Sequence, residues 1–176
     1  MTLEKIDAGA FDLQTEETPL IPALEKVLQE QTIDAAAKNI TLNMMCEEVS
    51  NDQVIQVDRT LFERAISIIL ENAISAAPES SIVWLRIRKS GNASGNAAKA
   101  DGAVEILVED KGKGISDDLL SQIFQRFRQV DGKPLSGLGL PLAFRVSKLH
   151  GGNMSITSSS SGSSVSFFSS AAPGAN

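Results

Sequence analysis

The stretch "LVEDKGKGISDDLL", Leu107–Leu120, decides how this chain is read. Its residues alternate up to Asp110 as a strand does, and then the pattern breaks. Gly112 and Gly114 follow, one residue apart, and Ser116 with Asp117 and Asp118 opens a helix. Glycine gives up conformational entropy on folding, so two in one short turn point to a backbone that something flat approaches closely. An ionised carboxylate only accepts hydrogen bonds, so Asp110 suits a ligand bearing an amino group, such as adenine's exocyclic amine. Taken alone, the pattern also describes an acid at a strand end before an ordinary glycine turn.

The remaining composition narrows the field. A length of 176 residues, 42% of them hydrophobic, suits one domain around a single core. A formal net charge of −6 argues against a nucleic-acid or anionic-membrane binder. Cys46 is the only cysteine, which excludes an internal disulfide and a cysteine metal cluster. His150 is the only histidine, so chemistry needing two is excluded as well. No apolar run reaches the ~18 residues of a membrane span, and "MTLEKIDAGA" is no signal peptide. The expectation is a cytoplasmic domain without direct membrane insertion.

Outward from the opening stretch, periodicity predicts the other elements. "TLEKIDAGAF" reads as the last turns of a helix stopped at Gly9, and "FDLQTE" as a short strand. Pro19 and Pro22 fall in a first helical turn, and Ile21, Leu24 and Leu28 continue that helix to about Lys38. "ITLNMM" and "QVIQVD" read as strands. Asp58 caps a long helix from Arg59 to about Ala77, with Phe62, Ala65, Ile66, Ile69, Ala73 and Ala76 as its apolar stripe. "SIVWLRIRK" and "AVEILVED" are partner strands joined by a glycine-bearing loop, the second with Val104, Ile106 and Val108 on one face. A last helix carries Leu142, Val146 and Leu149 and stops at Gly151; "NMSITSSSSGSSVSFFSS" is a hairpin. This order predicts an α+β domain, a two-layer sandwich of one mixed sheet with helices on one face.

Two further segments could carry chemistry. In "SIILENAISAAP", Asn72 lies at the margin of the apolar stripe, where it either bonds a neighbouring loop or offers its carbonyl oxygen to a hard cation such as Mg²⁺. In "SGLGLPLAF", Gly137 and Gly139 stand at a helix entrance, either a plain glycine loop or a phosphate site made by unpaired N–H groups and the helix dipole.

Order and spacing make these segments more specific together than apart. Asn on a long helix, then D-x-G-x-G-I, the helix "IFQRF", a G-x-G-L entrance and "LHGG" closely resemble the ATP-binding catalytic domain of sensor histidine kinases. That family lies in the gyrase–chaperone–histidine kinase–MutL ATPase superfamily, with its Bergerat-type fold. The resemblance implies that Asn72 helps hold Mg²⁺, and that Asp110, Gly112, Gly114 and Ile115 form the first glycine box around adenine. It implies that Phe124 and Phe127 belong to the phenylalanine box. Gly137, Leu138, Gly139 and Leu140 would be the second glycine box near the phosphates, and 128–136 a lid in which Lys133 is the nearest cation. His150 would be structural. Residues 1–10 would end a dimerisation helix or linker, 11–170 would be the catalytic domain, and 171–176 a loose tail. The implied ligands are ATP or ADP with Mg²⁺. The implied partners are a histidine-bearing dimerisation domain, in cis or in trans, and a response regulator downstream.

The chain departs from the family pattern at three positions. Ile68 stands one turn before Asn72 where a polar residue is common, Ser75 replaces the usual lysine, and Leu135 replaces a glycine. Ile68, Ser75 and the short lid favour an alternative reading, a nucleotide-binding regulatory module with degenerate or no kinase activity. An anti-sigma-type kinase on the same fold is a third reading.

Overall fold

The computed structural model describes residues 12–89, 103–128 and 139–169, with 124–128 and 168–169 as backbone only. Their elements run β1 (Glu16–Pro19), α1 (Leu20–Ala37), β2 (Thr41–Glu47), β3 (Val54–Val57), α2 (Arg59–Ala76) and β4 (Ile82–Lys89). They continue with β5 (Val104–Asp110), α3 (Asp117–Arg128), α4 (Gly139–Leu149), β6 (Met154–Ser159) and β7 (Gly162–Ser169). The expected helix end at residues 1–10, the loop after Lys89 and the tail lie outside the described residues.

Five strands form a mixed sheet in the order β2-β4-β5-β7-β6. The β2–β4 pair is parallel and the other pairs are antiparallel. The core lies between this sheet and the helices, where Phe62 of α2 meets Phe167 of β7 edge to face at 5.9 Å. The expected two-layer α+β architecture is therefore the observed one.

One expectation on the strands needs correction. The first strand is Glu16–Pro19, not "FDLQTE", and it pairs with β3 in a separate two-stranded sheet. Long-range pairing sets its place: buried Thr18 lies opposite Ile55, and Pro19, which has no N–H to donate, ends the ladder. Pro19 is consequently the residue before α1, and only Pro22 lies in its first turn. β5 has the expected buried face and a second one. Val104, Ile106 and Val108 are buried as expected, but so are Glu105 and Leu107 on the other face. A central strand is flanked on both sides, and the Arg88 guanidinium pairs with the Glu105 carboxylate.

Both ends of α2 are fixed by side chains. Asp58 Oδ1 accepts from the Leu61 N–H at 3.1 Å, the cap read from the sequence. At the other end Lys38 Nζ donates to the carbonyls of Ile74, Ser75 and Ala77 at 2.8, 3.0 and 2.9 Å. An ammonium there satisfies open carbonyls and complements the helix dipole. Lys38→Met is expected to lower stability by about 1–3 kcal/mol, the scale of hydrogen bonds to a charged group. Urea unfolding with an unchanged midpoint would contradict this.

Candidate functional site

The last turns of α2 are where the separate motifs meet. Asn72 is exposed, and its Nδ2 donates to the Ile68 carbonyl at 2.9 Å. Its Oδ1 has no partner among the described residues, so the oxygen is the atom offered outward. Ile68, one turn earlier, is buried and belongs to the core. Glu71 turns aside, taking hydrogen bonds from Ser67 Oγ at 3.1 Å and Arg64 at 3.3 Å.

Gly139, the first residue of α4, comes against this helix. A Cβ there would lie 2.8 Å from Ile68 Cγ2 and 3.3 Å from Asn72 Nδ2. The glycine thus allows the helix entrance to close on the asparagine.

The first glycine box approaches from β5. Gly112 N–H donates to Asp110 Oδ1 at 2.7 Å, and a Cβ on Gly112 would lie 2.6 Å from the Ala76 carbonyl oxygen. Gly114 has φ +75°, and a Cβ on it would lie 1.9 Å from the Ser159 carbonyl oxygen. The loop is therefore held between the C-terminal turn of α2 and the β6–β7 hairpin. Burial pushes the Asp110 carboxyl above its ordinary value, while N–H groups of Gly112 and Ser163 pull it back down. The result is a half-buried acceptor at the strand end, oriented by main-chain donors.

The structure brings Asn72, Asp110, Gly112, Gly114, Ile115 and Gly139 around one region. Lys133, Gly137 and Leu138 lie outside the described residues, as does the proposed lid from residue 129 onward. Arg128, read as the lid's first residue, is instead the last residue of α3. Phe124 and Phe127 fall in α3 with only their backbone described. His150 Nε2 accepts from the Asp58 N–H at 2.8 Å, and its Nδ1 lies 2.7 Å from the Val146 carbonyl oxygen. These contacts set the neutral tautomer with the proton on Nδ1 and tie the end of α4 to the start of α2.

Sequence reading missed the serines of the hairpin. Ser158 Oγ accepts from the Ile115 N–H at 2.5 Å and lies 3.2 Å from Ser163 Oγ. A serine-rich run looks like surface, and only the strand register shows which of its hydroxyls face inward.

Comparison with known proteins decides the family. Residues 57–172 match the model of the histidine kinase-, DNA gyrase B- and HSP90-like ATPases, which is more than half of the chain. The chain belongs to that ATPase family. It is homologous to the ATP-binding catalytic domains of sensor histidine kinases. It is 33% identical over 135 residues to the sensor protein CreC of Escherichia coli, covering 74% of this chain and 25% of CreC. Against the alginate biosynthesis sensor protein KinB of Pseudomonas aeruginosa, identity is 29% over 160 residues, covering 90% of this chain and 25% of KinB. The chain thus spans about a quarter of the length of these relatives. The catalytic domain of histidine kinase ThkA shares the fold at a TM-score of 0.72 and 19% identity, with 92% of this chain and 99% of that one covered. Full-length ShkA in complex with AMPPNP matches at a TM-score of 0.75 and 24% identity, covering 98% of this chain and 34% of that one. No helix among the described residues is long and apolar enough to cross a membrane.

Proposed function

We propose that this domain binds Mg·ATP and delivers its γ-phosphoryl group to a histidine on a dimerisation domain, in cis or in trans, with a response regulator downstream. The observation that carries the reading is the meeting of Asn72, the Asp110–Gly114 segment and Gly139 at the end of α2. Asp110 accepts from the adenine amine, Gly112 and Gly114 let the loop beside it pass against the Ala76 and Ser159 carbonyls, and Ile115 lies at the loop's end. By its motif the second glycine box, Gly137, Leu138 and Gly139, serves the phosphates together with the N–H groups that open α4, and Lys133 adds positive charge. The domain works on the cytoplasmic side.

Magnesium fits as an ion held chiefly by the nucleotide. Asn72 presents one oxygen, Ile68 presents none, and no cluster of three acidic, histidine or cysteine ligands occurs among the described residues. Mg²⁺ takes few protein ligands and keeps water and phosphate oxygens, so one asparagine is a sufficient anchor. When bound, the ion would neutralise charge on the transferring phosphoryl group. The protein's own share is positioning: the base by Asp110, the phosphates by the start of α4. In the transfer the bond from the γ-phosphorus to its bridging oxygen breaks and a bond to the acceptor histidine nitrogen forms, with ADP leaving. The sensor proteins among the relatives do not favour the regulatory-module alternative.

The test is incubation with a histidine-bearing dimerisation domain and γ-labelled ATP. Acid-labile label is expected on the dimerisation domain, dependent on Mg²⁺ and lost in Asn72→Ala. Mg²⁺ is expected to change ATP affinity itself by less than about tenfold, because the protein contributes few ligands. No label is expected on this chain alone, since the His150 ring is committed to Asp58 and Val146. Label on His150, or transfer unaffected by Asn72→Ala, would overturn these assignments.

A further inference from the structure

The inward-facing column of the β6–β7 hairpin changes character at its last rung. Met154 pairs with Phe167, then Ile156 with Val165, all buried against the core. The next rung is Ser158 with Ser163. An outward serine pair would need no explanation, but this one continues the buried side of the ladder. Ser163 is 8% exposed and stands opposite Asp110 in the neighbouring strand. Asp110 in turn follows Val104, Ile106 and Val108 on the inward face of β5. The apolar layer therefore ends in a polar row of three across β5, β7 and β6: Asp110, Ser163 and Ser158.

That row meets the glycine loop at its far end. Ser158 Oγ takes the Ile115 N–H at 2.5 Å, and would lie 2.9 Å from a Cβ on Gly114. At the near end, Asp110 takes the Gly112 N–H at 2.7 Å. Between them the Ser158 and Ser163 hydroxyls lie 3.2 Å apart. The loop is thus tied to the sheet at both ends by side chains of one row.

We propose that Ser158 is a positioning residue for adenine binding, holding the glycine loop through the Ile115 N–H so that Asp110 and the loop form one base cradle. The inference rests on the base-binding reading of Asp110. A hydroxyl that accepts a loop amide and meets a second hydroxyl leaves that amide unpaired when removed, and the loop then leaves its place.

The experiment is calorimetric titration of adenosine, ATP and ADP into the unaltered chain, Ser158→Ala, Ser158→Thr, Asp110→Asn and the Ser158→Ala/Asp110→Asn double variant. Ser158→Ala is expected to weaken all three ligands about fivefold or more, adenosine included, because the effect is on the base. Ser158→Thr keeps the hydroxyl and is expected to retain most of the affinity. In the Asp110→Asn background the loss on removing Ser158 is expected to shrink, the coupling of residues that act as a unit. A merely structural serine would lower thermal stability while leaving adenosine affinity intact below the transition, which would overturn the proposal. Weaker binding in Asp110→Asn with unchanged binding in Ser158→Ala would overturn this inference alone. Unchanged binding in Asp110→Asn would remove the base-site reading and this inference with it. Should Ser158→Ala not fold, amide exchange on the unaltered chain decides. Slow exchange at Ile115 without nucleotide supports the anchor, and exchange as fast as an open amide overturns it.

Discussion

Gly114→Ala is expected to cost this domain most of its nucleotide binding, at least about tenfold for ATP and ADP alike, and about 1–3 kcal/mol of stability. Two independent causes act at this position. Its φ of +75° is left-handed backbone, where a side chain is strained. The added methyl would also lie 1.9 Å from the Ser159 carbonyl oxygen, a main-chain atom in a paired strand that cannot turn aside. The loop must then lift from the hairpin, taking the Ile115 N–H from Ser158 and moving the surface on which the base lies. Urea unfolding separates the stability loss from the binding loss, which calorimetry reads on the folded fraction. A variant that binds ATP as the unaltered chain does would show that the loop is no part of the base site.

Asp110→Asn is expected to weaken ATP, ADP and adenosine by about tenfold or more, since a hydrogen bond to a charged group contributes roughly 1.5–3 kcal/mol. Equal loss across the three ligands is the signature, because the contact concerns the base and not the phosphates. Acidity should mimic the substitution. Burial raises the Asp110 carboxyl above its ordinary value, so the ionised acceptor is lost at a higher pH than an exposed aspartate would require. The sign for folding is opposite. A carboxyl raised in the folded state favours the fold below its unfolded value, and that contribution is lost as pH rises through the folded value. Affinity for adenosine, which has no phosphate to titrate, should therefore fall on acidification while this group's contribution to stability rises. In Asp110→Asn that pH dependence should be absent. Identical profiles for the two proteins would sink the assignment.

Much of the architecture was legible locally. Asp58 before an apolar stripe at helical spacing marks the start of α2, and the structure has its carboxylate on the Leu61 N–H. Ser116 before two aspartates marks α3, and its Oγ accepts from the Leu119 N–H at 3.3 Å. Caps and periodicities are written in residues three or four apart, so a single stretch carries them whole. The first strand was placed wrongly because its position depends on pairing with β3, about forty residues away, and not on its own alternation. Burial of Glu105 escaped notice for a similar reason: on the face away from the helices its carboxylate is covered by Arg88, which comes from the neighbouring strand.

The site divides along the same line. By itself the sequence determined which residue types stand in the three motifs, and hence the family chemistry of Asn72, Asp110 and the glycines. A carboxylate, an amide oxygen and a bare backbone keep their chemistry wherever the chain puts them. Only the tertiary structure decided that Gly139 closes against Asn72, that Gly112 passes the Ala76 carbonyl, and that Lys38 ends α2. It alone turned Ser158 and Ser163 inward beneath the glycine loop. Those facts depend on the register of strands and on contacts between residues some 30 to 70 positions apart in most cases, and a side chain's face in a sheet reverses with a shift of one residue.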